Sequence, residues 1–278
     1  MRRMFLAALM ALVALPALAS GQDWRSVTMS RQVSGEDELD VRVAYGAGRF
    51  KVAAAEQGML YRMHLRYDAE TFLPRADYDD GRLSLGVESI GHSIHFGRNR
   101  SEGEMDLLLA TGVPMSLELE FGAVRADIDL GGLSLLDLEL RTGASESTVD
   151  ISEPNPLSMG TASFEVGAAD FEARHLGNLN AERYEVSAGI GEVTLWFTGD
   201  WKQDADATIN MGLGSLELRF PEGLGVRLKK SSFLMSLDSQ GLVKRGDWYY
   251  SLDWEEAEHK VSIDLHAAFG SVNVLWVR

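Results

Sequence analysis

Short runs in which every second residue is apolar fill this chain, and each run leaves a glycine-centred corner. The corners end at Gly122, Ser145, Ala169, Gly191 and Gly214, spaced 23, 24, 22 and 23 residues apart, with outlying copies ending at Gly48 and Gly270. Two residues past the corner stand Phe50, Val124, Ser147, Phe171, Val193, Leu216 and Val272. Four past it stand Val52, Ala126, Val149, Ala173, Leu195, Leu218 and Val274. Only Ser147 breaks the apolar rule, and the positions between are mostly polar, as at Lys51, Thr148, Glu172, Thr194 and Glu217. Successive side chains on a strand point to opposite faces, so the pattern predicts strands with one buried face.

A second landmark falls half a repeat earlier, at Leu133, Leu157, Leu179 and Trp201. Each follows a turn-prone pair: Gly131-Gly132, Asn155-Pro156, Gly177-Asn178 or Gly199-Asp200. One repeat therefore reads strand, corner, strand, corner, the length of one coil of a β-solenoid. A single coil cannot bury its apolar face alone, whereas coils stacked by parallel strand pairing enclose a continuous core. The expected fold is all-β: a single-stranded, parallel β-helix-like solenoid with capping β segments at both ends. A sandwich of antiparallel hairpins also accounts for short strands and many turns, but not for a fixed period with matching inward positions.

The ends of such a stack need covers. At the front, a hairpin is predicted at Asp79-Asp80-Gly81, between Ala76–Tyr78 and Leu83–Val87. At the back, Lys244-Arg245-Gly246-Asp247 turns into a segment where Trp248, Tyr250, Leu252 and Trp254 share a face. No helix longer than a turn or two is predicted after the N-terminal leader.

The apolar-Gly-x-Gly corners, and the closing Val261-Ser262-Ile263-Asp264-Leu265 followed by Phe269-Gly270-Ser271-Val272-Asn273-Val274, resemble the bacterial toast-rack and adhesin-like domains. These are related to the extracytoplasmic part of LiaF-type cell-envelope stress proteins. The resemblance spans roughly 110 to 278, and the preceding segment resembles the N-terminal portion that accompanies such racks. It implies a stacked β architecture with no known catalytic residues. The sequence shows no block of membrane helices like that of the LiaF-type proteins.

Composition adds an address. Met-Arg-Arg, an apolar run from Met4 to Leu15 and then Pro16-Ala17-Leu18-Ala19 form the order of a secretory signal peptide, with Ala17 and Ala19 as the small residues of a cut after Ala19. Retention of this run as an uncleaved anchor is the other reading. The organisation expected is a signal peptide at 1–19, an N-terminal β segment at 20–110 and a toast-rack solenoid with C-terminal cap at 111–278, exported to the periplasm or beyond. The chain has no cysteine, which excludes disulfides, thiolate ligands and a lipoprotein anchor. Removing Arg2 and Arg3 with the leader takes the formal charge from −16 to −18, which repels nucleic acid and anionic lipid. Neither nucleic acid nor stable membrane insertion is expected; the expected partner is a cell-envelope protein or glycan, and the chain a monomer.

Candidate chemistry is sparse. Glu146, Asp170 and Glu192 fall at one outward position of three consecutive repeats, with Glu172 and Glu217 in the next column. Stacked carboxylates favour a divalent cation such as calcium; alternatively they form a solvated face. His92 and His95 point to opposite sides of a strand and chelate only where the backbone turns. His64, His175, His259 and His266 lack a carboxylate or nucleophile at a recognisable spacing, although Asp264 and His266 share a face. Trp201, Trp248, Tyr249, Tyr250 and Trp254 make either a sugar-stacking platform or an inward plug. No cofactor is implied. The function expected is a non-catalytic exported scaffold or binding module, connected with envelope stress or adhesion. The alternative is a carbohydrate-active lyase or hydrolase using surface carboxylates, for which Arg174 and Arg219 are the few basic residues beside the acids.

Overall fold

The computed structural model describes residues 23–90 and 103–278; the leader with Ala17 and Ala19, and the His92/His95 pair, lie outside the described residues. Fifteen strands join in one sheet. They are β1 (Trp24–Gln32), β2 (Leu39–Ala54), β3 (Met59–Asp68), β4 (Phe72–Asp79), β5 (Arg82–Ser89), β6 (Glu104–Leu109), β7 (Pro114–Asp129) and β8 (Ser134–Asp150). There follow β9 (Met159–Arg174), β10 (Ala181–Trp196), β11 (Ala205–Pro221), β12 (Gly225–Asp238), β13 (Leu242–Arg245), β14 (Trp248–Ser251) and β15 (Lys260–Val277).

The two strands expected in each repeat are the two legs of one long bent strand. In β10 the inward residues before the corner are Tyr184, Val186 and Ala188, and after it Val193 and Leu195. The inward parity thus switches from even to odd across Gly189-Ile190-Gly191. Both legs then face a common interior: Phe164 on the first leg of β9 and Phe171 on the second approach to 5.7 Å between ring centroids. One apolar cluster runs from Leu39 to Val274 through every rung. At roughly 1.5–3 kcal/mol for each large apolar side chain removed from water, this burial is the main stabilising term in a chain without cross-links.

The rungs pair in parallel and in register. Phe50, Ala126, Ser147, Phe171, Val193, Leu216 and Val272 are successive partners, and all are buried. This row corrects one alignment, because Gly48 pairs with Val124 and not with Gly122. The corner of β7 therefore ends at Val124. Gly122 belongs to the column two residues earlier, where a Cβ on it would stand 2.5 Å from the Gly46 carbonyl oxygen. A shift of two leaves the period-two face unchanged, so the inward face was assigned correctly in spite of the slip. Ser147 is accommodated by donating to Ser145 Oγ at 3.0 Å, while Thr142 donates to the same oxygen at 2.7 Å.

Between rungs, buried amides satisfy the turn backbone. Asn155 accepts from Leu135 N–H at 3.0 Å and donates to the carbonyls of Leu135 at 2.8 Å and Leu179 at 3.1 Å, tying three rungs together. Asn178 repeats the device, donating to the Ile151 carbonyl and accepting from Asp200 N–H, both at 2.7 Å. Beside them Phe197 stacks on Phe220 at 5.3 Å, and Phe220 meets Trp276 at 5.7 Å.

At both ends parallel pairing gives way to antiparallel strands. In front, β5 pairs with the first leg of β2 and is backed by β4, while β6, β3 and β1 extend the second leg. The β4–β5 turn is Asp80-Gly81, both at positive φ (45° and 80°), as the sequence predicts. The sheet runs unbroken across residue 110, since β2 pairs directly with β7. At the back the order departs from the sequence: β15 lies between β11 and β12. Outside β12 lies the β14–β13 hairpin, joined to the first leg of β12 through Arg227–Lys229. The aromatic strand ends at Ser251, whose Oγ accepts from Val226 N–H, so Leu252 leaves the expected shared face and is exposed.

Candidate functional site

The outer face of the rack is built of register columns, and its chemistry follows from which side chains the columns bring together. Glu146, Asp170 and Glu192 are successive partners on β8, β9 and β10, exposed and outward as expected. Arg125 neutralises the first of them, donating to Glu146 at 3.0 Å. Among the described residues no set of three or more acidic or histidine side chains is placed to hold a metal ion.

The next columns are more tightly organised. Arg174 donates to Glu172 at 2.6 Å, and Trp196 Nε1 donates to the other oxygen of the same carboxylate at 2.8 Å. These bonds, Arg174 first, hold the Glu172 carboxyl below its ordinary value against the opposing effect of burial. Arg219 pairs with Glu217 and lies over the Trp196 ring at 3.9 Å. The arginines expected to serve an anionic substrate are thus occupied by neighbouring carboxylates.

The histidines separate. His64 shares a 3.0 Å hydrogen bond with Thr28, and Asp264 and His266 stand exposed on one face of β15. His175 does have a carboxylate partner, with Nδ1 2.7 Å from Asp150 Oδ1. Sequence spacing missed that pair because the partner sits 25 residues back, one rung below. Stacking Asp150 on Arg174, the register partner next to His175, is the signal that finds it.

Among the aromatics, Trp201 is the inward plug: its indole donates to the Phe197 carbonyl at 2.8 Å, and its ring packs on Tyr184 and Phe197. Burial pushes the Tyr184 phenol up, and its hydroxyl donates to the Leu176 carbonyl. Tyr249 packs against the core, whereas Trp248 and Tyr250 occupy the opposite parity of β14 and are only half-buried.

A recess lies where the β4–β5 hairpin overhangs the first legs. It holds about 760 Å³, with Gly46, Gly122, Gly143 and Gly167 as floor and Phe72 and Val87 as wall. The glycine column makes the floor flat, because no side chain rises from it. Glu120, Arg141 and Glu165 stand along its rim. Arg141 is held by carboxylates on three strands, Glu118 at 2.7 Å, Glu139, and Glu165 at 3.4 Å. Burial alone would lower its pKa, and these carboxylates together raise it. Arg42 continues the network to Glu120 at 3.1 Å and Glu118 at 3.6 Å. Sequence reasoning did not single out this recess, since its wall comes from a hairpin some 80 residues from Gly167 in the chain.

No curated protein sequence matches the chain. Among solved structures it is similar to a candidate cell adhesion protein from Clostridium sporogenes, at 15% identity and TM-score 0.47, covering 92% of this chain and 100% of that one. It is also similar to a candidate adhesin from Bacteroides fragilis, at 11% identity and TM-score 0.34, covering 90% and 97%. Likeness this remote transfers no role. A family model for the N-terminal domain of toast_rack, DUF2154, matches residues 20–173 and again 161–219, reaching further toward the N-terminus than the corner repeats alone suggest; the chain belongs to that family.

Proposed function

We infer that this chain is a non-catalytic, exported binding module of the cell envelope, working through the outer face of its stacked rungs. The observation that carries the reading is the recess under the β4–β5 hairpin, with a flat glycine floor and a rim on which Glu120 and Arg141 are cross-linked through Arg42 and Glu118. Side chains fixed by ion pairs across strands present a preorganised surface, which lowers the ordering cost of binding. The recess is open along the rungs, a shape suited to an extended segment of a protein or glycan. Export follows from the leader-like N-terminus, and a role in adhesion or envelope stress is the setting in which such a module acts.

The test is co-sedimentation of the purified mature protein with isolated cell-wall sacculi and envelope vesicles, comparing wild type with Arg141→Ala and Phe72→Ala. Saturable binding weakened by both substitutions supports the reading. Binding indifferent to both, or none to any envelope fraction, overturns it. New reducing ends in the glycan fraction would establish the carbohydrate-active enzyme instead.

A further inference from the structure

At the far end of the same outer face, cations and aromatic rings gather beside one another. Arg227 and Lys229 point outward from β12 beside Trp248 and Tyr250 of β14, which are their register partners in reverse order. The Arg227 guanidinium lies between two indoles, 4.8 Å from the Trp248 ring centroid and 5.2 Å from that of Trp254, and its Nε donates to Ser262 Oγ at 2.9 Å. Lys229 flanks Trp248 and Lys260 flanks Trp254, each at 5.8 Å. Tyr250 closes the group with an edge-on contact to Trp254 at 5.6 Å.

Two features make this more than an aromatic cap. Among the described residues, Arg227, Lys229 and Lys260 form no ion pair within 4.0 Å, whereas Arg42, Arg125, Arg141, Arg174 and Arg219 all do. In a chain of formal charge −16, these three cations gather around two indole rings. Asp264 is the register partner of Lys229, but it makes no ion pair with it. Secondly, the rings are half-buried, Trp248 on β14 and Trp254 in the turn that follows it, with the Arg227 guanidinium near both, and they offer edges and faces to a flat ligand. A pyranose ring carrying a carboxylate satisfies both: its apolar C–H face stacks on an indole, and its anion pairs with a guanidinium or ammonium group.

We propose that Arg227, Lys229, Lys260, Trp248 and Trp254 form a binding site for an acidic glycan, a chain of uronate-type sugars. The column through Lys229 leads back across the face to Asp264, then Thr208, then Glu185. A long polyanion running that way meets repulsion, so the site takes a short stretch of glycan lying along β12 and β14. The inference shares with the proposed function only the premise that the chain is exported to where glycans are; the site itself is separate from the Arg141 recess.

The experiment is titration calorimetry and tryptophan fluorescence at low ionic strength with tri- and tetragalacturonate as probes. Dextran oligomers serve as neutral controls, and phosphatidylglycerol vesicles as the anionic lipid arm. Saturable galacturonate binding that changes tryptophan emission and weakens with added salt is expected. It should fall at least tenfold in the Lys229→Gln/Lys260→Gln double variant, whose substitutions lie on the surface and leave the melting temperature unchanged. Trp254→Ala should abolish it. Galacturonate binding unaffected by these variants, equal affinity for dextran, or binding to vesicles without binding to galacturonate each overturns the proposal. Failure here leaves the recess reading intact, because that reading is tested by Arg141→Ala and Phe72→Ala on envelope fractions.

Discussion

Trp196 donates its indole N–H to Glu172 on the adjacent rung at 2.8 Å, so a side chain five residues past one corner locks a carboxylate three residues past another. Arg174 supplies the second and stronger hold on that carboxylate, and the pair keeps its pKa below the ordinary 4.5. A carboxyl with a depressed folded-state pKa stabilises the fold fully above the unfolded-state value, and that contribution is lost as pH falls through the folded value. The melting temperature of wild type should therefore exceed that of Glu172→Gln at neutral pH, and the gap should close as pH drops below about 4.5. A gap that stays constant across a pH series of thermal melts would assign the difference to packing instead.

The register places Val193 between Phe171 and Leu216 in the interior, and Thr194 between Glu172 and Glu217 outside. Val193 is 2% exposed. Val193→Asp should abolish cooperative unfolding, since an unpaired charge there costs more than about 4 kcal/mol, a large part of a domain's stability. For the outward position the suitable comparison is Thr194→Asn, because an aspartate there would stand between two existing carboxylates. Its denaturation midpoint should lie close to wild type. Equal damage from both substitutions would contradict the inward row on which the stacked fold depends.

How much of this was legible in the sequence depended on whether a feature repeats. The inward row from Phe50 to Val272, the turn at Asp80-Gly81 and the outward acidic column follow from a period of two superposed on a period near 23. They survived a two-residue error at Gly122, because the strand face does not notice an even shift. Features created by tertiary order did not show. The last long strand inserts before β12, whose corner lacks the Gly-x-Gly signal, and nothing in the spacing announces that swap. Nor does alternation reveal that Ile190, Leu213 and Phe269 form an exposed apolar column, 58%, 50% and 47% accessible. They occupy the one position where the strand reverses its inner face. The Arg141 recess and the cationic aromatic group join residues from opposite sides of long connections, which a single sequence without coordinates does not pair.

The corners themselves supply a sharp test of why glycine stands there. Gly214 adopts φ +143°, and a Cβ on it would lie 1.9 Å from the Gly191 carbonyl oxygen of the rung beneath. Gly191 repeats this against Ala169 O, also at 1.9 Å with φ +141°, whereas Ala169 and Ser145 are absent from the positive-φ residues and carry side chains at the same corner position. The requirement is thus local to rungs that stack with the left-handed backbone, and backbone cannot yield there as a flexible side chain would. Gly214→Ala should destabilise by at least about 2 kcal/mol through combined strain and overpacking. Gly46→Ala is the matched control: a Cβ there meets nothing within 4 Å and its φ lies outside the left-handed region. It should be neutral or stabilise by up to about 1 kcal/mol, because alanine loses less chain entropy on folding. Chemical denaturation of the two variants checks the contrast. If Gly214→Ala unfolds at the wild-type midpoint, the rungs do not approach one another through their corner carbonyls.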